Sequence, residues 1–230
     1  MRVVTRIVLL GTLVWLAPQV ARADSIVVGD TVVFQQAYTD GNTGAGPFIT
    51  TVNGDPSTAF VTFCVQPDVG TWADLGTTQY VAGVSDFITW EPESMGGDAD
   101  GKNFLTSQTA WLYTQFREGS LAGYDQSVNA GDALQFALWQ LQNQVAVPEG
   151  KDYSALANSF IALADQAVAN GFTGIGDVRI LNLVNADGTD AQDQLTMVPE
   201  PSSFELLALG AFAIFVARQR FGLSRVCEIA

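Results

Sequence analysis

The spacing of apolar positions along this chain changes near Asn103 and changes back near Asp177. Before Asn103, SIVVGDTVVFQQ (25–36) is rich in β-branched residues around Gly29-Asp30 and predicts strands. PFITTVNG and STAFVTFCV predict two more, joined through Asn53-Gly54-Asp55-Pro56 as a hairpin-type connection. TDGNTGAG (39–46) predicts a loop, and TTQYVAGVSDFITW (77–90) a fourth β region. After Asn103 the period lengthens. TSQTAWLYTQF (106–116) places Ala110, Leu112, Tyr113 and Phe116 at helical spacing, with Thr106 or Ser107 as its cap. GDALQFALWQLQNQ (131–144) gives one apolar face from Leu134, Ala137, Leu138 and Leu141. YSALANSFIALADQAVANG (153–171) predicts a third helix through Leu156, Phe160, Leu163 and Ala167, with Gly171 as its stop. DVRILNLVN (177–185) returns to strand. The expected class is α+β: a β-rich lobe, sandwich or barrel-like, from 25–90 and 177–197, packed against a small helical subdomain.

The two ends read as addresses. Residues 1–23 combine Arg2 and Arg6, an apolar run from Ile7 to Leu16, and Ala21-Arg22-Ala23, the small-x-small pattern cleaved by signal peptidase. The run is shorter than the ~20 residues of a bilayer helix. At the other end, Pro199-Glu200-Pro201 keeps the backbone extended. An apolar stretch follows over 204–217, then Arg218, Arg220 and Arg225, which would hold its end on the cytoplasmic side. This tail resembles the PEP-CTERM sorting signal of Gram-negative bacteria. The resemblance implies recognition by an exosortase, transient anchoring in the inner membrane through 204–217, and delivery to the cell surface or extracellular matrix. Glu205 inside the apolar run and the ten residues beyond Arg220 depart from that pattern. The expected organisation is a signal peptide (1–23), an exported domain (24–197) and a sorting signal (198–230).

The exported part, about 175 residues, is one domain by size. Between 24 and 197 only Lys102, Arg117, Lys151 and Arg179 face 21 acidic residues, a net charge of −17. Such a surface repels nucleic acid and anionic lipid and favours basic partners. The chain has no histidine. That removes Ser-His-Asp and Cys-His catalysis and most catalytic zinc sites.

Paired carboxylates remain. Glu91 and Glu93 in WEPESMGG are the nearest pair, but Pro92 and Gly96-Gly97 predict a solvated loop there rather than a glycosidase cleft. GGDADGKN (96–103) offers Asp98, Asp100 and Asn103 as oxygen ligands. An EF-hand would need a ligand at Gly96 and a glutamate at Ser107, so Asx-turns account for it better. NADGTDAQD (185–193) reads the same way. No catalytic residue, metal site or cofactor is assigned, and the chain is not expected to be an enzyme.

Cys64 sits at the end of a predicted strand, and the other cysteine, Cys227, is the fourth residue from the end of the sequence. A thiol without a nearby partner in an exported chain is unusual. TFCVQP, then AWLYTQF, then LQFALW form an ordered set that resembles the thioester domains of bacterial surface adhesins. The resemblance implies a bond between Cys64 and Gln135, with Trp139 as the aromatic of the motif and Leu134 where the family often has threonine. It implies covalent attachment to amines on a surface or matrix target. Phe63, Phe136, Trp111 and Trp139 are the candidate shield against water. With Asp132 as N-cap, Gln135 would fall in the first helical turn, where free N–H groups stabilise an oxyanion. Two plainer readings stand beside this one. Asp132-x-x-Gln135 is also a capping-box pattern, and Cys64 serves equally as a small buried hydrophobe. Without the bond, the chain would be a non-reactive structural or binding module of the matrix.

Overall fold

A computed structural model of the chain describes residues 24–38, 46–69 and 75–198. The expected signal peptide (1–23), the Pro199–Pro201 motif, the apolar stretch at 204–217 and the basic tail lie outside the described residues. Among those described, no helix is long and apolar enough to cross a membrane.

Among the described residues the strands are β1 (Thr31–Gln36), β2 (Phe48–Val52), β3 (Asp55–Thr62), β4 (Thr78–Ser85), β5 (Phe87–Ile88), β6 (Asn103–Phe104), β7 (Val178–Val184) and β8 (Asp190–Met197). Helices α1 (Ser107–Arg117), α2 (Val128–Leu141) and α3 (Ser154–Ala169) fall between β6 and β7. The fold is α+β, as the pattern predicts. Six strands form one antiparallel sheet in the order β3-β2-β1-β4-β7-β8, and β5 and β6 form a small second sheet. The β2–β3 hairpin turns through Asn53 and Gly54, with φ of 52° and 72°, opposite the Val52–Asp55 pair. A two-residue turn with both φ positive matches the twist of the strands, which is why Asn-Gly stands there.

The chain just after β3 bonds to β8, linking the two ends of the strand order. Val65 N–H donates to Asp193 O at 2.9 Å, Leu195 N–H donates to Phe63 O at 3.0 Å, and Cys64 bridges Gln194. The sheet therefore curls into a barrel-like lobe. Its inward positions, among them Val32, Phe34, Phe48, Val52, Phe60, Val81 and Leu183, form one core with Cys64. A second core joins the helices to Phe63, Val65, Ile180 and Leu195.

The helix in the middle is α2. Its Ala133, Leu134, Ala137 and Leu138 are wholly buried in the helix-side core, and its Trp139 reaches the barrel core. Burial nearly all round, rather than along one face, fits a helix enclosed on most sides. One helix start differs from the sequence reading and one agrees with it. Thr106 caps α1 as expected, accepting from Thr109 N–H at 3.1 Å. The N-cap of α2 is Ser127 and not Asp132, which is buried inside the helix. Segment 190–193, read as polar loop, is the start of β8; only the Asn185–Thr189 turn before it is irregular, with Asp187 accepting from Thr189 N–H at 3.0 Å.

The ends of the domain are tied together. Asp24 N–H donates to Met197 O at 2.7 Å, and Asp24 Oδ2 accepts from Met197 N–H and from the Thr196 hydroxyl at 3.0 Å each. Arg117 on α1 closes a two-pronged ion pair on the same carboxylate, both contacts at 2.8 Å.

Candidate functional site

Cys64 is held where β3 crosses to β8. A backbone segment that leaves its strand partner must find other partners, and side chains supply them here. Gln66 donates to Thr89 O at 2.7 Å and accepts from Asp193 N–H at 2.8 Å. The carboxylate of Asp193 accepts from Leu183 N–H at 2.9 Å, Thr89 N–H at 3.0 Å and Asn182 Nδ2 at 2.8 Å. Cys64 is thus fixed from both sides and 1% exposed.

Gln135 arrives from α2 and is fully buried. Its Nε2 donates to the backbone carbonyl of Cys64 at 2.7 Å, and the Cys64 thiol donates to its Oε1 at 3.4 Å. The same Oε1 accepts the backbone N–H of Gly46 at 3.1 Å. The carbonyl carbon lies one bond, about 1.2 Å, behind that oxygen. A thiol, a carboxamide and a backbone donor therefore converge in a site closed to solvent.

The helix end plays no part in this. Ser127 starts α2 and accepts from Ala130 N–H at 3.1 Å, so Gln135 lies in the third turn, beyond the free N–H groups. The donor that faces the amide oxygen is Gly46, in a segment read as loop. Nor is Gln135 part of a capping box, because its amide is engaged with Cys64 and Gly46.

Two glycines make the convergence possible. A Cβ on Gly46 would stand 2.9 Å from Oε1 of Gln135 and 2.9 Å from Cδ1 of Phe63. A Cβ on Gly131, one turn before Gln135, would stand 2.6 Å from Cδ of Pro47 and 2.9 Å from Cε2 of Tyr38. The bare helix surface at Gly131 seats Pro47, and Pro47 carries Gly46 onto Gln135. Neither glycine stands out in the sequence, since a contact across 89 residues leaves no local pattern.

Burial pushes the Cys64 thiol well above its ordinary pKa, and the indole N–H of Trp139 opposes that shift. Yet that N–H reaches no acceptor at full hydrogen-bond geometry. Trp139 lies one turn beyond Gln135 and shares the core of Cys64. Phe136 meets Trp139 edge-on at 5.1 Å and stacks on Tyr153 at 5.0 Å. Phe63 is fully buried and meets Phe116 edge-on at 5.1 Å. Trp111, also named as shield, is partly buried on α1 against the helix-side core, not the core of Cys64. Beyond Pro47 lies a cavity of about 700 Å³ walled by Tyr38, Phe60, Phe116 and Tyr124, and neither Cys64 nor Gln135 lines it.

The carboxylates singled out in the sequence lie elsewhere. Glu91 is 2% exposed, not part of a solvated loop, and neither of its oxygens has a hydrogen-bond partner; burial and then Asp68 push its pKa up to about 7. Glu93 is exposed in a short 3-10 turn. Asp98 accepts from Asp100 N–H at 2.8 Å and Lys102 N–H at 2.9 Å, an Asx-turn arrangement. Among the described residues, no group of three or more histidine, cysteine or acidic side chains is placed to hold a metal ion. No family model, curated protein or solved structure matches this chain.

Proposed function

We propose that the chain is an exported protein, sorted to the cell surface or matrix by an exosortase, whose domain stores a thioester between Cys64 and Gln135 and spends it on amines of a target. The observation that carries the reading is the contact of the Cys64 thiol with Oε1 of Gln135 at 3.4 Å, with Gly46 N–H on the same oxygen.

In the closing step, Sγ of Cys64 bonds to Cδ of Gln135, the Cδ–Nε2 bond breaks, and the thiol proton leaves with the nitrogen as ammonia. Charge that develops on Oε1 is met by Gly46 N–H, a fixed donor in a water-poor site. Burial disfavours the thiolate, but the thioester is neutral, so the same burial shields it from water without a charge penalty. In the opening step, a primary amine bonds to Cδ, the Cδ–Sγ bond breaks, and a proton returns to sulfur. The products are an amide and a free thiol. An acidic domain of charge −17 draws cationic amine-bearing partners toward it.

The second reading is a structural module, supported by the completeness of the Gln135 contacts: its amide joins the barrel to α2 with no chemistry needed. A fluorescent primary amine separates the two. Covalent labelling of the wild type that survives boiling in denaturant, and is lost in Cys64→Ala and Gln135→Ala, supports the thioester. Equal labelling of all three proteins, or none of any, leaves the structural module. For the sorting half, protein recovered from the outer surface should lack all peptides beyond Pro199–Pro201; intact peptides from Arg218–Ala230 in that fraction would reject it.

A further inference from the structure

A buried N–H without an acceptor needs an explanation, because leaving one unmet costs about 1–3 kcal/mol. The indole N–H of Trp139 is such a group: the side chain is 8% exposed, and its Nε1 has no hydrogen-bond partner. It is not a remote defect. Trp139 follows Gln135 by one helical turn, packs in the core that contains Cys64, and is held edge-on by Phe136. A neutral thiol is a weak acceptor and rewards such a donor poorly. A sulfur carrying negative charge is a strong one, and hydrogen bonds to charged groups are about twice as strong.

We propose that the indole N–H of Trp139 is the donor that receives the Cys64 sulfur when it leaves Gln135 with the electron pair of the Cδ–Sγ bond. The proposal rests on the thioester reading and gives its two ends separate donors: Gly46 N–H on the acyl oxygen, Trp139 N–H on the departing sulfur. The donor is unmet in the resting thiol because its acceptor is the reacting state. The lowering of the thiol's pKa by this same indole agrees with that direction.

The test uses the purified full chain and methylamine, with intact mass as the readout. In Trp139→Phe, which keeps an aromatic ring and removes the donor, opening by methylamine slows about tenfold. Spontaneous hydrolysis slows with it, because both reactions expel the same sulfur. A purely structural role gives the opposite sign for water: a loosened shield hydrolyses faster. Unchanged rates in a folded Trp139→Phe protein, or faster hydrolysis, overturn the proposal. If Trp139→Phe does not fold, β-(3-benzothienyl)alanine at position 139 decides, because it keeps the bicyclic shape and lacks the N–H: opening and hydrolysis both slow if the donor acts on the leaving sulfur, and unchanged rates overturn the proposal. A wild type already at full sequence mass removes the thioester reading and this inference together, whereas a wild type one ammonia light with Trp139→Phe rates unchanged removes only this inference.

Discussion

Gly46 donates its backbone N–H to Oε1 of Gln135 across 89 residues of chain, and its lack of a Cβ is what allows the approach. Gly46→Ala would set a methyl group 2.9 Å from that oxygen and from Phe63, so one of the two side chains must shift. Such crowding costs about 1–3 kcal/mol in a packed site. The expected result is a folded protein of reduced stability, by urea titration, that closes its thioester slowly or not at all. Unchanged stability and full closure would show that the segment moves freely.

Gly131 is a second packing constraint and a more severe one. A Cβ there would meet Pro47 at 2.6 Å. Gly131→Val should lower stability by about 2–3 kcal/mol and release Gly46 from Gln135. Gly150, whose Cβ would meet nothing within 4 Å, is the control for crowding: its φ of +71° makes Gly150→Ala strained for backbone reasons alone, so it should lose stability yet keep labelling by amine.

The ion pair between Asp24 and Arg117 is mostly buried, with side chains 5% and 10% exposed. Removing one partner strands the other charge, which costs about 3–5 kcal/mol. Asp24→Ala should fall in that range, since Thr196 and Met197 also lose their acceptor. Arg117→Met should cost less than Asp24→Ala, and the double variant less than the sum of the two. A double-mutant cycle by thermal or urea unfolding checks this, and strict additivity would deny the coupling.

Stability should fall as pH rises. Burial raises the carboxyl of Asp193 to about 7 and that of Asp190 to about 6, and burial with Asp68 raises Glu91 to about 7. An acid raised in the folded state binds its proton more tightly there than in the unfolded chain. Its contribution is fully present below the unfolded pKa near 4 and is lost as pH climbs through about 7. Urea midpoints should therefore drop between pH 4 and pH 8. Glu91→Gln, which removes a buried charge with no partner, should raise stability at pH 8 by about 1 kcal/mol and change little at pH 4. A midpoint that rises with pH would contradict this.

Much of the fold was legible because local signals agreed with it: the Asn53-Gly54 hairpin, the Thr106 cap and the Gly171 stop each have a local physical cause. What stayed hidden had its cause elsewhere in space. The start of β8 carries Asp190, Gln192 and Asp193, polar residues that read as loop, yet Asp193 is buried and satisfied by three donors from other segments. The first turn of α2 reads as weakly apolar, so Asp132 looked like its cap while Ser127 held that place. At the site, Cys64, Gln135 and Trp139 came from an ordered motif. The glycines that let them meet carry no signal without the packing around them.

The central claim is a covalent bond, and intact mass of the wild-type protein tests it most directly. The thioester account expects a chain one ammonia lighter than its sequence once processing at its ends is accounted for. It expects methylamine to add its full mass, and Cys64 to become open to alkylation only afterward. Cys64→Ala and Gln135→Ala should each show full sequence mass. A wild type at full sequence mass, with Cys64 alkylated before any amine is added, would contradict the account.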